Sequence, residues 1–377
     1  MTTPQNNSKQ ALFSSIQFGK SKLSNRIVMA PMTRNKSPNG IPTDKVVTYY
    51  QRRAEGGVGL IITEGTYIGH PAANGYAGVP AFHGEAALNG WKKVVDAVHE
   101  VGGKIIPQIW HVGAARQPGV EPDITVPGYG PMAVEKDGLE VVKAMSQQDI
   151  DDVVTAYAQA AADAERLGFD GVEVHGAHGY LIDQFLWEKT NQRHDRYGGS
   201  LENRLHFAVE VIRAVRSKVS ADFPVTFRFS QWKLGDYDAK IAENPEELAT
   251  ILTALVNAGV DYFHPSTRKL FKPAFEGSTD SLAAWTSKLS GKPVIAVGSV
   301  GLEKEFRTGH FTREESPDSN TSVDVDALSK GIDQGSFDLV AVGRALLADP
   351  KWPNKVKKGH LDQLVSFNTK ALDQLVI

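Results

Sequence analysis

The stretch Ser146–Tyr180, SQQDIDDVVTAYAQAAADAERLGFDGVEVHGAHGY, contains one complete helix-to-strand unit and decides how the remaining sequence is read. Ser146 and Asp149 have the spacing of a capping box, and Ile150, Val153, Val154, Tyr157, Ala161, Ala164 and Leu167 fall on one helical face. Gly168 suits the helix C-terminus, where a left-handed residue closes the last turn. Gly171–His175 follows, short, apolar and rich in β-branched side chains, and predicts a strand.

Similar runs recur along the chain, at Ile27–Ala30, Val58–Thr63, Lys104–Ile109, Pro224–Phe229, Val260–His264, Pro293–Gly298 and Asp338–Gly343, making eight candidate strands in all. Amphipathic stretches lie between most of them; the one from Ser200 aligns Leu205, Ala208, Val209, Ile212 and Val215. Strands alternating with helices predict an α/β fold, and eight units predict closure into a single (β/α)8 TIM barrel. With 377 residues, 41% of them hydrophobic, one such core accommodates the whole chain.

The expected organisation is a disordered polar N-terminus over 1–10, the barrel over 11–365 and a tail over 366–377. Leu12–Arg26 is expected to form a small hairpin closing the barrel bottom, and the Pro- and Gly-rich His111–Met145 an inserted excursion over the mouth after strand 3. Gly301–Ser322, long, polar and charged, is expected to be either a lid or disordered.

Composition narrows the function. The 41 Lys and Arg against 44 Asp and Glu leave a formal charge of −3, which offers no electrostatic basis for binding nucleic acid or an anionic membrane. The absence of cysteine rules out disulfides, thiolate metal sites and a thiol nucleophile, so redox chemistry requires a bound organic cofactor. No run approaches the ~20 apolar residues of a membrane span. The expectation is a cytoplasmic enzyme acting on a small molecule, as a monomer or a homo-oligomer.

In a TIM barrel the reactive groups sit at the C-terminal ends of the strands. There His175, His178 and Tyr180 bring two imidazoles and a phenol within six positions. Each alone reads as a packed core residue; together they read as proton-handling chemistry. A metal site built on Glu173 and His175 lacks further ligands at convincing spacing, and no metal is expected. Arg228 is a cation within the apolar run Val225–Phe229, and a buried charge needs an anionic partner. That partner is either a carboxylate such as Glu173 or the electron-rich edge of a flavin. Gly298-Ser299 and Gly343-Arg344 end the last two strands, where barrels frequently bind phosphate. A phosphorylated metabolite would satisfy them as well as FMN, and the alternative function is a flavin-free lyase or isomerase acting on one.

Three segments carry a family resemblance: Ala30-Pro31-Met32-Thr33-Arg34, His175 to Tyr180, and Asn191 to Arg204 with its Arg193-His194-Asp195-Arg196-Tyr197-Gly198-Gly199-Ser200 core. They resemble the motifs of the old yellow enzyme family, over nearly the whole chain. The resemblance implies FMN as bound cofactor, NADPH or NADH as co-substrate, and reduction of an electron-poor alkene, with nitro compounds and nitrate esters as further acceptors. Carried over, Pro31, Met32, Thr33, Gly65, Gln108 and Arg228 would contact the flavin, and Gly298, Ser299, Gly343 and Arg344 its phosphate. His175 and His178 would grip the substrate carbonyl, Tyr180 would donate the proton, and Tyr76 and Trp110 would line the pocket. His178 stands where the best-known eukaryotic members carry Asn, and Thr33 where another branch has Cys. No residue of Val365–Ile377 is assigned to the family's C-terminal pocket aromatic.

Overall fold

The computed structural model describes residues 11–305 and 318–376. Eight parallel strands close into a barrel in sequential order: β1 (Ile27–Met29), β2 (Leu60–Tyr67), β3 (Ile105–Trp110), β4 (Val172–His178), β5 (Val225–Lys233), β6 (Tyr262–Ser266), β7 (Ile295–Val297) and β8 (Leu339–Val342). The principal helices outside it are α1 (Asp44–Glu55), α2 (Glu85–Glu100), α3 (Gln147–Leu167), α4 (Leu201–Lys218), α5 (Pro245–Ala258), α6 (Leu282–Ser290), α7 (Val325–Asp333) and α8 (Trp352–Lys358). The expected (β/α)8 barrel is thus present. All eight candidate strands form, and α3 opens on the Ser146–Asp149 capping box and closes on Gly168 at φ 90°.

Barrel register sorts the interior into layers. The lower interior is apolar, built from Val28, Leu60, Ile62, Ile106, Tyr262, Ile295, Leu339 and Ala341. Phe18 and Leu23 plug it from below, from an antiparallel hairpin of Ile16–Phe18 and Ser21–Leu23, with Phe18 4.5 Å from the Tyr262 ring centre. The upper interior is polar. Gln108 pairs in register with Glu173 and Glu173 with Thr226, and His175, Arg228 and His264 stand abreast on β4, β5 and β6.

Five strands, β2 to β6, run further than the sequence predicts, β2 and β5 the most. β2 continues through Glu64, Gly65 and Thr66 to Tyr67, and β5 passes a register shift after Phe229 to reach Lys233. The excursion after β3 folds as a three-stranded sheet of Gly128–Gly130, Val134–Lys136 and Leu139–Ala144. It packs on the loops after β2 and β4, through Arg116 on the Asn74 carbonyl and Gln184 on the Ala114 N–H, and lines no part of the cavity described below. The expectation for Gly301–Ser322 falls largely on 306–317, outside the described residues; its ends pair as Gly301–Leu302 with Thr321–Ser322. The expectation for 1–10 also lies outside them.

The C-terminal segment returns to the barrel. Arg34 donates to the carbonyls of Ala371, Leu372 and Gln374, and Arg53, stacked 3.7 Å over the Tyr49 ring, donates to that of Val376.

On the opposite side, a buried ion pair ties the loop after β4 to the end of β5. Lys233 Nζ lies 2.8 Å from Asp183 Oδ1, with the two side chains 2% and 0% exposed. Asp183 Oδ2 also accepts from the Gly179 N–H at 2.6 Å, and Lys233 donates to the carbonyls of Ser230 and Gln231. Removing one member of such a pair strands the other charge in a dry interior. Lys233→Met is expected to cost about 3–5 kcal/mol in a denaturant titration, and adding Asp183→Asn to restore part of it. Equal stabilities for parent and single variant would show that the pair carries no such constraint.

Candidate active site

A cavity of about 480 Å³ opens at the C-terminal end of the barrel, a size suited to a small organic ligand. Pro31, Met32, Thr33, Gly65, Gln108, Trp110, His175, His178, Tyr180, Arg228, Gly298, Ser299, Gly343 and Arg344 all line it. Of the sequence-predicted site residues only Tyr76 does not; it stands behind, its hydroxyl 3.3 Å from that of Tyr180.

Arg228 is 6% exposed, and burial lowers its pKa to about 10 against a partial raising effect of Glu173. The carboxylate partner weighed from the sequence does not engage it: Glu173 uses its oxygens on Gln108 Nε2 at 2.8 Å and His264 Nδ1 at 2.7 Å. Among the described residues Arg228 makes one hydrogen bond, from Nη2 to Ser266 Oγ at 3.3 Å, and its buried Nε has no partner. A guanidinium cannot shed its charge at neutral pH, so this one faces the cavity in want of an anion. Because Glu173 holds the amide nitrogen of Gln108, the Gln108 carbonyl oxygen is left to accept from a ligand N–H.

The adjoining side of the cavity is aromatic. Trp110, 2% exposed, stacks on His175 at 5.8 Å and 30° and meets Tyr180 edge-on at 4.8 Å. His175 Nδ1 accepts from the Ala177 N–H at 3.2 Å, so a neutral His175 carries its proton on Nε2. His178 is held with φ at 65°, its N–H on Ser230 Oγ, its Nε2 2.8 Å from Ser266 Oγ, and its ring stacked on Trp232 at 4.4 Å. Burial, then the charge of Arg228, pushes both imidazoles well below the ordinary histidine range. Burial also pushes the Tyr180 phenol well above its ordinary value, so it keeps its proton.

At the third edge the loops after β7 and β8 come together. A Cβ on Gly298 would lie 2.5 Å from the Leu270 amide nitrogen, so only glycine permits that approach, and the neighbouring Ser299 adopts φ 50°. Arg344 is 9% exposed rather than a solvated surface charge; it donates to the Lys304 carbonyl at 2.6 Å, and burial lowers its pKa to about 10.

Trp232, Ser266 and Leu372 were not identifiable from sequence as cavity residues, yet all three line it. Trp232 and Ser266 sit beyond the apolar runs that predict β5 and β6, and Leu372 depends on the docking of the C-terminal segment by Arg34. The donor set suits FMN. It combines an unneutralised guanidinium and an amide carbonyl for the polar ring edge with a cationic two-loop cradle for phosphate. Gly65 keeps the wall flat, since a Cβ there would lie 2.8 Å from the Trp110 ring.

Sequence and structure comparisons agree with that chemistry. The profile of the NADH:flavin oxidoreductase / NADH oxidase family matches residues 11–313. The chain is 34% identical over 362 residues to an NADH oxidase of Thermoanaerobacter brockii, covering 94% of this chain and 52% of that protein, so it spans about half the length of that relative. It is 34% identical over 355 residues to 12-oxophytodienoate reductase 2 of Arabidopsis thaliana, covering 91% and 87% of the two chains. The structure of morphinone reductase in complex with tetrahydroNAD superposes with a TM-score of 0.79 at 30% identity, covering 96% of this chain and 94% of that one. Old Yellow Enzyme from Pichia sp. AKU4542 superposes at 0.78 with 27% identity, covering 97% and 90%. With its barrel, its cationic cradle and a profile match spanning most of its length, the chain belongs to the old yellow enzyme family of NADH:flavin oxidoreductases.

Proposed function

We propose that this protein is an FMN-dependent ene-reductase, which uses NADPH or NADH to reduce the carbon–carbon double bond of an α,β-unsaturated carbonyl compound. The observation that carries this reading is the pairing of two neutral imidazoles and a protonated phenol at one end of the cavity with an unneutralised guanidinium in its wall. Bound FMN would supply the redox step, taking hydride from the nicotinamide and giving it to the β-carbon of the alkene.

The side chains do the rest. Arg228 and Gln108 hold the polar ring edge, with Pro31, Met32, Thr33 and Gly65 along the same wall, and Gly298, Ser299, Gly343 and Arg344 take the phosphate. His175 donates from Nε2 to the substrate carbonyl oxygen, and His178 donates beside it. Negative charge grows on that oxygen as the β-carbon is reduced, so these hydrogen bonds strengthen toward the transition state. Tyr180 then gives its proton to the α-carbon, completing addition of hydride and proton across the double bond. Trp110 and Tyr76 orient the phenol, through the edge contact and the hydroxyl contact.

The first test is reconstitution. The purified protein is expected to bind FMN, bleach under anaerobic NADPH or NADH, and recolour when 2-cyclohexenone is added; failure to bind FMN under any condition would refute the assignment. Arg228→Met, which removes the cation and keeps the stem, is expected to weaken FMN retention or lower its reduction potential, as measured by equilibrium dialysis and reductive titration. A variant that retains and titrates FMN like the parent would remove Arg228 from this role. Tyr180→Phe is expected to slow alkene reduction by roughly 10²–10⁴-fold while flavin reduction by the nicotinamide stays nearly intact, because only alkene reduction needs an acid. Loss of both steps would exclude Tyr180 as the proton donor.

The pKa directions fix a pH profile. The imidazoles are neutral above their depressed values and Tyr180 is protonated below its raised one, so both conditions hold in between. Stopped-flow reoxidation of the reduced enzyme by the alkene is expected to be flat from about pH 6 to 9, with losses only outside that window. An inflection near the ordinary histidine value would mean that the imidazoles titrate as exposed groups.

A further inference from the structure

We propose that Ser266 is the positioning residue that fixes His178 as an Nδ1–H donor toward the cavity, through an ordered chain from the Arg228 guanidinium to the Ser266 hydroxyl to His178 Nε2. The inference deepens, and its kinetic part rests on, the carbonyl-gripping role given above to His178.

Three contacts meet on Ser266. Arg228 Nη2 lies 3.3 Å from its Oγ, His178 Nε2 lies 2.8 Å from the same Oγ, and the Ser266 carbonyl accepts Trp232 Nε1–H at 3.1 Å. The order of donation follows from what each group can do. A guanidinium has no acceptor, so Arg228 must donate into a lone pair of Oγ. A hydroxyl has one proton and two lone pairs, which leaves two arrangements at His178. If Nε2–H donated into the second lone pair, the Ser266 proton would have no acceptor among the described residues, and His178 Nδ1 would be an acceptor facing a substrate carbonyl. If the Ser266 hydroxyl donates to Nε2, each group is used once and the imidazole proton resides on Nδ1. The adjoining cation favours the second arrangement, because withdrawing density from Oγ makes its proton a better donor and its remaining lone pair a poorer acceptor.

The remaining geometry leaves His178 one free edge. Its ring lies against Trp232 at 4.4 Å and 29°, and Trp232 is tied to Ser266 by its own N–H, so ring plane and ring edge are set by the same residue. The backbone at His178 lies in the left-handed region with its N–H on the Ser230 hydroxyl, which fixes where the side chain leaves the main chain. Nδ1 has no protein partner among the described residues, is not fully buried, and belongs to a residue lining the cavity. His175 reaches the same end by another route, its tautomer set by the Ala177 N–H. Two imidazoles thereby become two donors without either being charged, one aligned by backbone and one by Ser266.

The test reads the tautomer directly. In FMN-loaded protein labelled with ¹⁵N-histidine, with the His178 signals assigned by their disappearance in His178→Gln, the proton is expected on Nδ1 and the unprotonated nitrogen to be Nε2. A proton on Nε2 in the parent protein would overturn the proposal, whatever the enzyme turns over. In Ser266→Ala the two tautomers are expected to mix, and in Ser266→Thr, which keeps the hydroxyl, the parent pattern to return. Since losing one donor to a developing oxyanion costs roughly 10²–10³-fold and the alanine variant keeps the donor in part of its population, kcat for alkene reduction should fall in proportion to the donor fraction lost, roughly two- to tenfold, with KM little changed. Threonine should rescue it. An alanine variant with the parent tautomer and parent kcat would assign Ser266 to packing alone. If the parent protein reduces no enone, the ene-reductase reading falls while the tautomer measurement still decides the role of Ser266.

Discussion

Everything at the mouth of this barrel is arranged around one unneutralised cation. Arg228 stands in register between His175 and His264, on the interior face of β5, where it is buried and the guanidinium keeps its charge. Its field helps to hold both cavity imidazoles neutral, its one hydrogen bond sets the Ser266 hydroxyl, and its buried Nε leaves an open demand for an anionic ligand edge. A carboxylate at ion-pair distance would have quenched all three effects. Glu173 is close enough to be felt but is directed instead at Gln108 and His264, so it orients the neighbouring amide without neutralising the cation.

The same cation explains why two histidines can serve where one charged residue would not. A protonated imidazole beside Arg228 would face like charge as well as desolvation, and both act in the direction of the neutral form. Neutral imidazoles donate through one nitrogen only, so their use as donors requires that the other nitrogen be occupied. The fold meets that requirement twice, with the Ala177 N–H at His175 and the Ser266 hydroxyl at His178. Function here depends on second partners as much as on the groups that face the ligand.

The barrel was legible because its lower interior is apolar and many of its strands begin in residues that only burial explains, such as Ile27-Val28-Met29, Leu60-Ile61-Ile62 and Leu339-Val340-Ala341-Val342. The upper halves were harder to read. Thr63-Glu64-Gly65-Thr66, Ser230-Gln231-Trp232-Lys233 and Pro265-Ser266 look like strand ends and loops because they are polar, but they are strand residues whose polar groups find partners within the barrel, Thr66 on the Gln108 carbonyl, Ser230 on the Trp232 carbonyl and Ser266 beside His178. Trp232 and Ser266 were missed for that reason, since hydrophobic pattern reports burial among apolar neighbours and fails where burial is paid for in hydrogen bonds. Arg228 was legible for the converse reason, as a charge in an apolar run. Leu372 depends on a contact between segments more than three hundred positions apart, from Arg34 to the Leu372 carbonyl, and no local pattern encodes it.

The dense polar layer is not explained by stability. Hydrophobic side chains of similar volume in place of the Lys233–Asp183 ion pair, or of the buried Glu173 and its neutral partner His264, would on general grounds leave a barrel about as stable, since desolvating charged groups consumes most of what their attraction and hydrogen bonds return. What such replacements would lose is direction. Glu173 decides which end of the Gln108 amide faces the cavity, and Asp183, holding the Gly179 N–H while anchored by Lys233, decides where the chain leaves His178 for Tyr180. Apolar packing could fill the same space but could not choose between two ends of an amide or two edges of an imidazole. The upper half of the barrel is therefore polar because its task is to orient hydrogen bonds, and the apolar plug beneath it supplies the burial that makes those bonds strong.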